Sequence, residues 1–281
     1  VCGGHETEDG RRNRIAGMPV VMAFHAVDMA VIGPPLLVGL LILASAAPLG
    51  LIIARRRGPF TSLALAQTAS CGLTAGTMLW GAPNVLVIEV TGLVAVLACA
   101  GGLALLAQRA RGPEVAAGAV FAMAASLQLV LLAHAVDAAV QVDALLVGRV
   151  LTISPQLLVG TILLACAALM IWWLQETIRT PVVFHLLLAV VVFVAVQIAG
   201  LLVTLIVVTV PAAAASRAPL SWQPLIAFNI GVIGYALGLA AAAMLGTPAG
   251  PTIVCVTVPM AALAYQMIAL TAPDGGARPI G

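Results

Sequence analysis

A carboxylate at Glu89 lies in an otherwise apolar run of Val, Leu, Ile and Ala over residues 85–107. Charge is costly in hydrocarbon, so an ionisable group inside such a run is a candidate for ion passage. A boundary shifted by two or three residues would instead let it reach the surface. His134 and Asp137 stand at i, i+3, a spacing that puts both on one helix face. They form either a cation-receiving vestibule, close to Asp143, or a solvated loop. His25 and Asp28 repeat the spacing and carry the same two readings. Glu114 opens another apolar run, where a carboxylate complements a helix N-terminus, and capping is favoured over transport. The five cysteines, Cys2, Cys71, Cys99, Cys166 and Cys255, are far apart and form no CxxC pair, so neither a disulfide framework nor a zinc module is indicated. The sequence contains no HExxH, no GxSxG and no GxxxxGK[ST]. The chain itself is therefore expected to be no enzyme, and any ATP that drives it would be hydrolysed by a separate subunit.

These few polar groups sit in a chain that water cannot solvate. Of 281 residues, 63% are hydrophobic and 8% charged, and the mean hydropathy is +1.18. A soluble domain carries about 25% charged residues, so the elements that position the candidates above must be membrane-embedded. The net charge of +2 is too small and too scattered to indicate nucleic acid. Residues 1–28 begin with the polar VCGGHETEDGRRNR, expected to be disordered and to lead to the membrane. They lack a signal-peptide layout, because the apolar stretch after the arginines has no clear small-residue cleavage site before Pro34-Pro35.

Apolar spans are read at residues 35–54, 61–80, 85–107, 114–134, 156–174, 222–245 and 251–270, with 15–33 either a further helix or an interfacial lead-in. Between Val182 and Ser216 no residue carries a formal charge except through a proton on His185. Those 35 residues exceed the ~20 needed to cross a bilayer once. If the run crosses twice, with a hinge near Gly200, then Arg55–Arg57, Arg109, Arg111, Arg179, Arg217 and Arg278 fall on one side, eight of twelve. If it crosses once, the arginines divide evenly and the positive-inside bias vanishes. Two crossings are therefore expected, each half short and tolerable only when packed in protein. Gln197 and Thr204 can bond to backbone opened at Gly200, Pro211 bends the second half, and AAAAS allows close helix contact. His185 is expected at the cytoplasmic interface, Trp172 and Trp173 as interfacial anchors, and Gly250-Pro251 as a tight outer turn that launches the last span, since Pro suits a first helical turn. The fold class is all-α, a polytopic membrane bundle of about eight or nine helices with some short or broken, which favours a transporter or channel core.

Four stretches, in order, resemble the permease subunits of zinc/manganese-type ABC importers. PEVAAGAVFAMA (113–124) is similar to the family's EDAAIGVLFxLA. LLVGRVLTIS (145–154) is similar to LFGxILxxS, VQIAGLLVTLIVVTVPAAAASR (196–217) to LQxxGxLLVxALLxxPAATAR, and GTPAGPTIVCV (246–256) to DLPxGPTIVLV. The resemblance covers about residues 29–270. It implies a transmembrane permease domain over 29–272, a short cytoplasmic tail over 273–281, and a multi-pass place in a bacterial inner membrane. It also implies alternating access by a homodimer that docks a cytoplasmic ATPase subunit and receives cargo from an extracytoplasmic metal-binding protein. No cofactor is held permanently; the implied cargo is a divalent metal ion, zinc or manganese.

The departures bear on that cargo. The family carries GDxxSHAxxPG in its second helix; here the stretch reads SLALAQTASCG, so Gln67 stands at the His position and Leu63 at the Asp position. Gln offers one neutral oxygen in place of imidazole nitrogen or carboxylate charge. Cys71, one turn away, is either a soft ligand or small packing. Gln67, Cys71, Glu89, His134 and Asp137 are thus the candidate metal-path residues. At 173–185 the family's longer cytoplasmic loop, typically with FDPExA, is cut to WLQETIRTPVVFH. The rival reading is a divergent permease for another cargo, or a degenerate membrane assembly partner that transports nothing.

Overall fold

The computed structural model of the chain describes residues 29–56, 58–81, 84–109, 113–134, 160, 162–164, 166–167, 170 and 180–271. Seven helices run through these residues: α1 Met29–Arg56, α2 Pro59–Trp80, α3 Val85–Arg109, α4 Pro113–Leu132, α5 Pro181–Ala215, α6 Gln223–Leu245 and α7 Ala249–Thr271. The described residues from 160 to 170 are helical too. The all-α, polytopic class read from the sequence is what the molecule shows. The segments read as residues 1–28 and 273–281, the loop at 173–179, Trp172 and Trp173 lie outside the described residues.

Six of the helices are long and apolar enough to cross a membrane; α2 is not among them. Its sequence explains why. PFTSLALAQTASCGLTAGTMLW carries seven Ser, Thr or Gln side chains, and most of its residues are buried. A helix enclosed by other helices meets protein rather than lipid, so it tolerates polar groups that bond within the bundle.

The helix levels follow from who meets whom. Arg55 donates to Gln223 (2.9 Å), and Gly58 faces the carboxylate of Glu114, so the end of α1 and the starts of α2, α4 and α6 share one end of the bundle. Gly72 lies against Gly92 and Ala95, and Gly76 against Ile88, so α3 runs antiparallel to α2 and brings Arg109 back to that end. Arg217 lies over the Tyr265 ring at 4.5 Å, fixing the C-terminal part of α7 there as well. Arg55, Arg56, Arg109 and Arg217 therefore gather at one end, the asymmetry that the positive-inside rule relates to the cytoplasmic face.

Helix α5 reverses at Gly200, whose φ of 81° and ψ of 168° are non-helical. That region is open only to glycine. Ala212 packs by Gly50, near the arginine end, while Phe193 touches the space at Gly92 beside Leu73. Leu73 lies ~21 Å along α2 from Pro59 at 1.5 Å per residue. A straight α5 would carry Phe193 ~29 Å past Ala212, well beyond Leu73. A chain rising from Pro181 reaches Phe193 after ~18 Å, and descends again from Gly200 to Ala212. The first half, residues 181–199 (α5a), thus meets α2 and α3, and the second, residues 201–215 (α5b), meets α1 and α6. Thr204 donates to the Gly200 carbonyl (2.8 Å), as expected; Gln197 makes no such bond among the described residues.

The hairpin is the core of the bundle. Val191, Val192, Ala195, Ala199, Val203 and Ala215 are fully or almost fully buried, and 78% of the span's most apolar window is enclosed by the chain itself. His185, four residues into α5a, is buried, its ring centroid 5.3 Å from that of Phe184. Pro251 stands in the first turn of the last helix, as expected, and the turn that precedes it lies a few residues earlier. That turn is made by the left-handed Gly246 (φ 64°, ψ 29°) and Pro248.

Candidate functional site

Helix α2 presents two opposed faces. Gly72 and Gly76 stand at i, i+4 and let α3 approach closely, with Gly92 opposite Gly72. Gln67, Ser70, Cys71 and Thr74 stand at i, i+3, i+4, i+7 on the other side, and Leu63 falls on the same stripe. Glycine on one face and small polar groups on the other are what a helix needs to hold two neighbours where lipid offers no hydrophobic drive.

The polar face meets α4 through Gln128. Gln67 donates through Nε2 to Gln128 Oε1 (2.6 Å). Gln128 donates through its own Nε2 to Ser70 Oγ (2.9 Å) and, more weakly, to Thr74 Oγ1 (3.4 Å). Thr74 in turn donates to the Ser70 carbonyl (3.0 Å). All four side chains are buried: Gln67 and Gln128 are 8% exposed, Thr74 1% and Ser70 0%. Gln67 lies ~12 Å along α2 from Pro59, close to the middle of a ~30 Å hydrocarbon core. Gln128 is a member of this seam that sequence reading passed over. Its signal was the rule that a polar side chain in mid-span has a partner; QLV inside PEVAAGAVFAMAASLQLVLL reads as ordinary amphipathic helix without it.

The other candidates stand elsewhere. Cys71 is buried, 6% exposed, and a free thiol, one turn from Gln67. Glu89 follows Ile88, which packs at Gly76, so it lies nearer the far end of the bundle, half-buried. His134 is exposed just beyond α4, its Nδ1 2.9 Å from the Val130 carbonyl of its own last turn. Asp137, like His25, Asp28, Asp143 and Arg149, lies outside the described residues. Gln67 and Cys71 are thus adjacent, while Glu89 and His134 occupy two further levels. Among the described residues no three His, Cys, Asp or Glu side chains come together to hold a metal ion.

Glu114 occupies the first turn of α4 as expected, but its carboxylate serves the neighbouring helix. It accepts the backbone amide of Phe60, one of the unpaired donors at the start of α2. At the same end, Gln223 Nε2 bonds the carbonyls of Ser216 (3.0 Å) and Ala218 (2.9 Å) while its Oε1 accepts from Arg55. This single side chain ties α1 to the connection between α5b and α6.

A buried helical reversal within an apolar bundle, arginines collected at one end and a neutral polar seam at mid-depth define a polytopic membrane protein. Comparison with known families agrees. The family model described as ABC 3 transport family matches residues 28–180 and 175–268, so the chain belongs to that family, whose permeases the four sequence stretches resemble. The match divides inside the 173–185 stretch where the sequence is shortened. Among solved structures, the chain is similar to "PsaBC from Streptococcus pneumoniae in complex with Fab", with a TM-score of 0.69 at 18% identity, over 91% of this chain and 97% of that one. That likeness is one of fold.

Proposed function

We propose that this chain is the membrane-spanning permease of an ATP-binding-cassette importer for a divalent transition-metal ion, zinc or manganese, working by alternating access in a bacterial inner membrane. The family match over almost the whole bundle carries the reading. Two copies would form the working permease, with an ATPase on the arginine-rich side and a metal-binding protein opposite. ATP hydrolysis falls to the partner because the sequence has no phosphate-binding GxxxxGK[ST] loop. The candidate metal-path residues would then act in sequence rather than as one cage. His134 would stand on the delivery side, where Asp137 is expected to join it, with Glu89 deeper and Gln67 and Cys71 at mid-depth. A path of separated single donors suits a cargo that must bind weakly enough to leave.

A second reading, a permease for another cargo, is favoured by the neutrality of the mid-depth seam. Gln67 and Leu63 replace an imidazole and a carboxylate, and Gln128, Ser70 and Thr74 add no charge. The experiment is ATP-dependent uptake of manganese(II) and zinc(II) into vesicles holding this chain with its cognate ATPase. Uptake that saturates with one of these metals and needs ATP supports the importer. Uptake indifferent to ATP and to metal identity overturns it.

A further inference from the structure

The quartet on the α2–α4 seam is asymmetric. Every polar atom of Gln128 is engaged: its oxygen by Gln67, its nitrogen by Ser70 and Thr74. Among the described residues Gln67 is engaged only through its nitrogen, and its carbonyl oxygen has no hydrogen-bond partner there. That oxygen is not sealed in. Among the described residues, Thr257 Oγ1 is the fully enclosed side-chain polar atom without a partner, and Gln67 Oε1 is not such an atom. A buried amide whose oxygen is left over would ordinarily cost free energy comparable to a lost hydrogen bond. The seam thus contains one oriented, unspent acceptor at mid-depth, on the same stripe of α2 as Cys71.

We propose that Gln128 is a positioning residue: anchored to Ser70 and Thr74, it takes the Gln67 NH2 group and so presents the Gln67 carbonyl oxygen as a neutral ligand to a cation passing along α2. The identity of the cargo rests on the importer reading above; the positioning does not. An amide oxygen is a hard donor without charge, so it replaces one water of a hydrated divalent ion and releases the ion readily. Rotating the Gln67 amide would set its oxygen against Gln128 Oε1 at 2.6 Å, so the bond to Gln128 selects which end faces the path. The hydroxyl of Ser70 completes the chain, holding Gln128 from the α2 side.

The test measures manganese(II) bound at equilibrium to the full chain in nanodiscs, from the paramagnetic resonance signal of the free ion. Gln67→Met and Gln128→Met are each expected to weaken binding about fivefold, the worth of one hydrogen-bond-scale contact. The double variant should be no weaker than either, because Gln128 acts through Gln67. Gln128→Glu is an acceptor only and still takes the Gln67 NH2 group, so it should retain at least the original affinity, and Gln67→Met should abolish that retention. Ser70→Ala, which leaves both glutamines in place, should weaken binding by a smaller factor and keeps the idea testable if Gln128→Met does not fold. Additive losses in the double variant, retention in Gln128→Glu that survives Gln67→Met, or no manganese(II) binding at all overturns the proposal. Coupled binding without ATP-driven uptake would leave the positioning role standing and remove the importer; uptake without coupling would do the reverse.

Discussion

The two faces of α2 solve one problem by opposite means. Toward α3 the helix offers glycine: a Cβ at Gly72 would stand 2.9 Å from the Ala95 methyl and 3.0 Å from the Gly92 backbone, and one at Gly76 3.0 Å from the Ile88 backbone. Toward α4 it offers hydrogen bonds from Gln67, Ser70 and Thr74 to Gln128. In lipid the hydrophobic effect does not distinguish one helix neighbour from another, so close approach and polar pairing are what remain. The glycine seam holds by shape and tolerates no added atom. The glutamine seam holds by direction, and direction can be spent on a ligand. A rigid contact on one side and an oriented amide on the other let one helix be both anchor and candidate site.

Both seams depend on the reversal of α5, because α5a fills the groove between α2 and α3, with Phe193 at Gly92. The largest effect is therefore expected at Gly200. Replacing it by Val imposes a β-branched side chain on φ 81°, ψ 168°, at a cost of roughly 3 kcal/mol. The protein should unfold at markedly lower temperature in detergent, and the glycine seam should loosen first. Faster hydrogen exchange of the α2 and α3 amides around Gly72 and Gly92 in the Gly200→Val background would show it. An unchanged melting temperature would break the link between hairpin and seams.

Next come the glycines themselves. Gly72→Ala and Gly76→Ala each press a methyl on backbone and should destabilise by about 1–3 kcal/mol, read from unfolding in mixed micelles. Gln128→Met leaves Gln67 and Ser70 short of a partner but keeps the volume, and interhelical hydrogen bonds in membranes average about 0.6 kcal/mol. The expected order, glycine seam above glutamine seam in stability and the reverse in cargo binding, is the sharpest form of the comparison. A Gln128→Met protein less stable than Gly72→Ala would make the quartet chiefly structural.

Much of this was legible in the residues. The helix ends read at 54, 61–80, 85–107, 222–245 and 251–270 lie within two residues of those observed, because Arg55–Arg57, Gly81, Gln108-Arg109 and Gly246 end apolar runs, whereas the first helix starts at Met29, six residues before the 35 that was read. The reversal at Gly200 was legible from charge balance, an argument about the whole chain. What could not be read were pairings between helices. Gln67 was noticed for the family position it occupies, whereas its partner Gln128 is 61 residues away and follows no local pattern. Glu114 was expected to serve its own helix; which neighbour's amide it accepts depends on α2 and α4 running parallel, a tertiary fact.

The smallest effect tests whether shape alone suffices at a third seam. Helices α6 and α7 meet through Gly234, where a Cβ would fall 2.8 Å from Thr257 Oγ1 and 2.9 Å from its methyl. Thr257 is 1% exposed and its hydroxyl has no partner, so this contact behaves as apolar packing that contains one unpaired oxygen. Thr257→Val keeps the shape and removes the desolvated hydroxyl, and should stabilise the protein by about 0.5–1 kcal/mol. The rise in melting temperature should disappear in the Gly234→Ala background, where the valine would be displaced by the new methyl. Were Thr257→Val to destabilise instead, the hydroxyl would be bonding something this chain does not supply, and the third seam would belong with the polar face of α2 rather than with its glycine face.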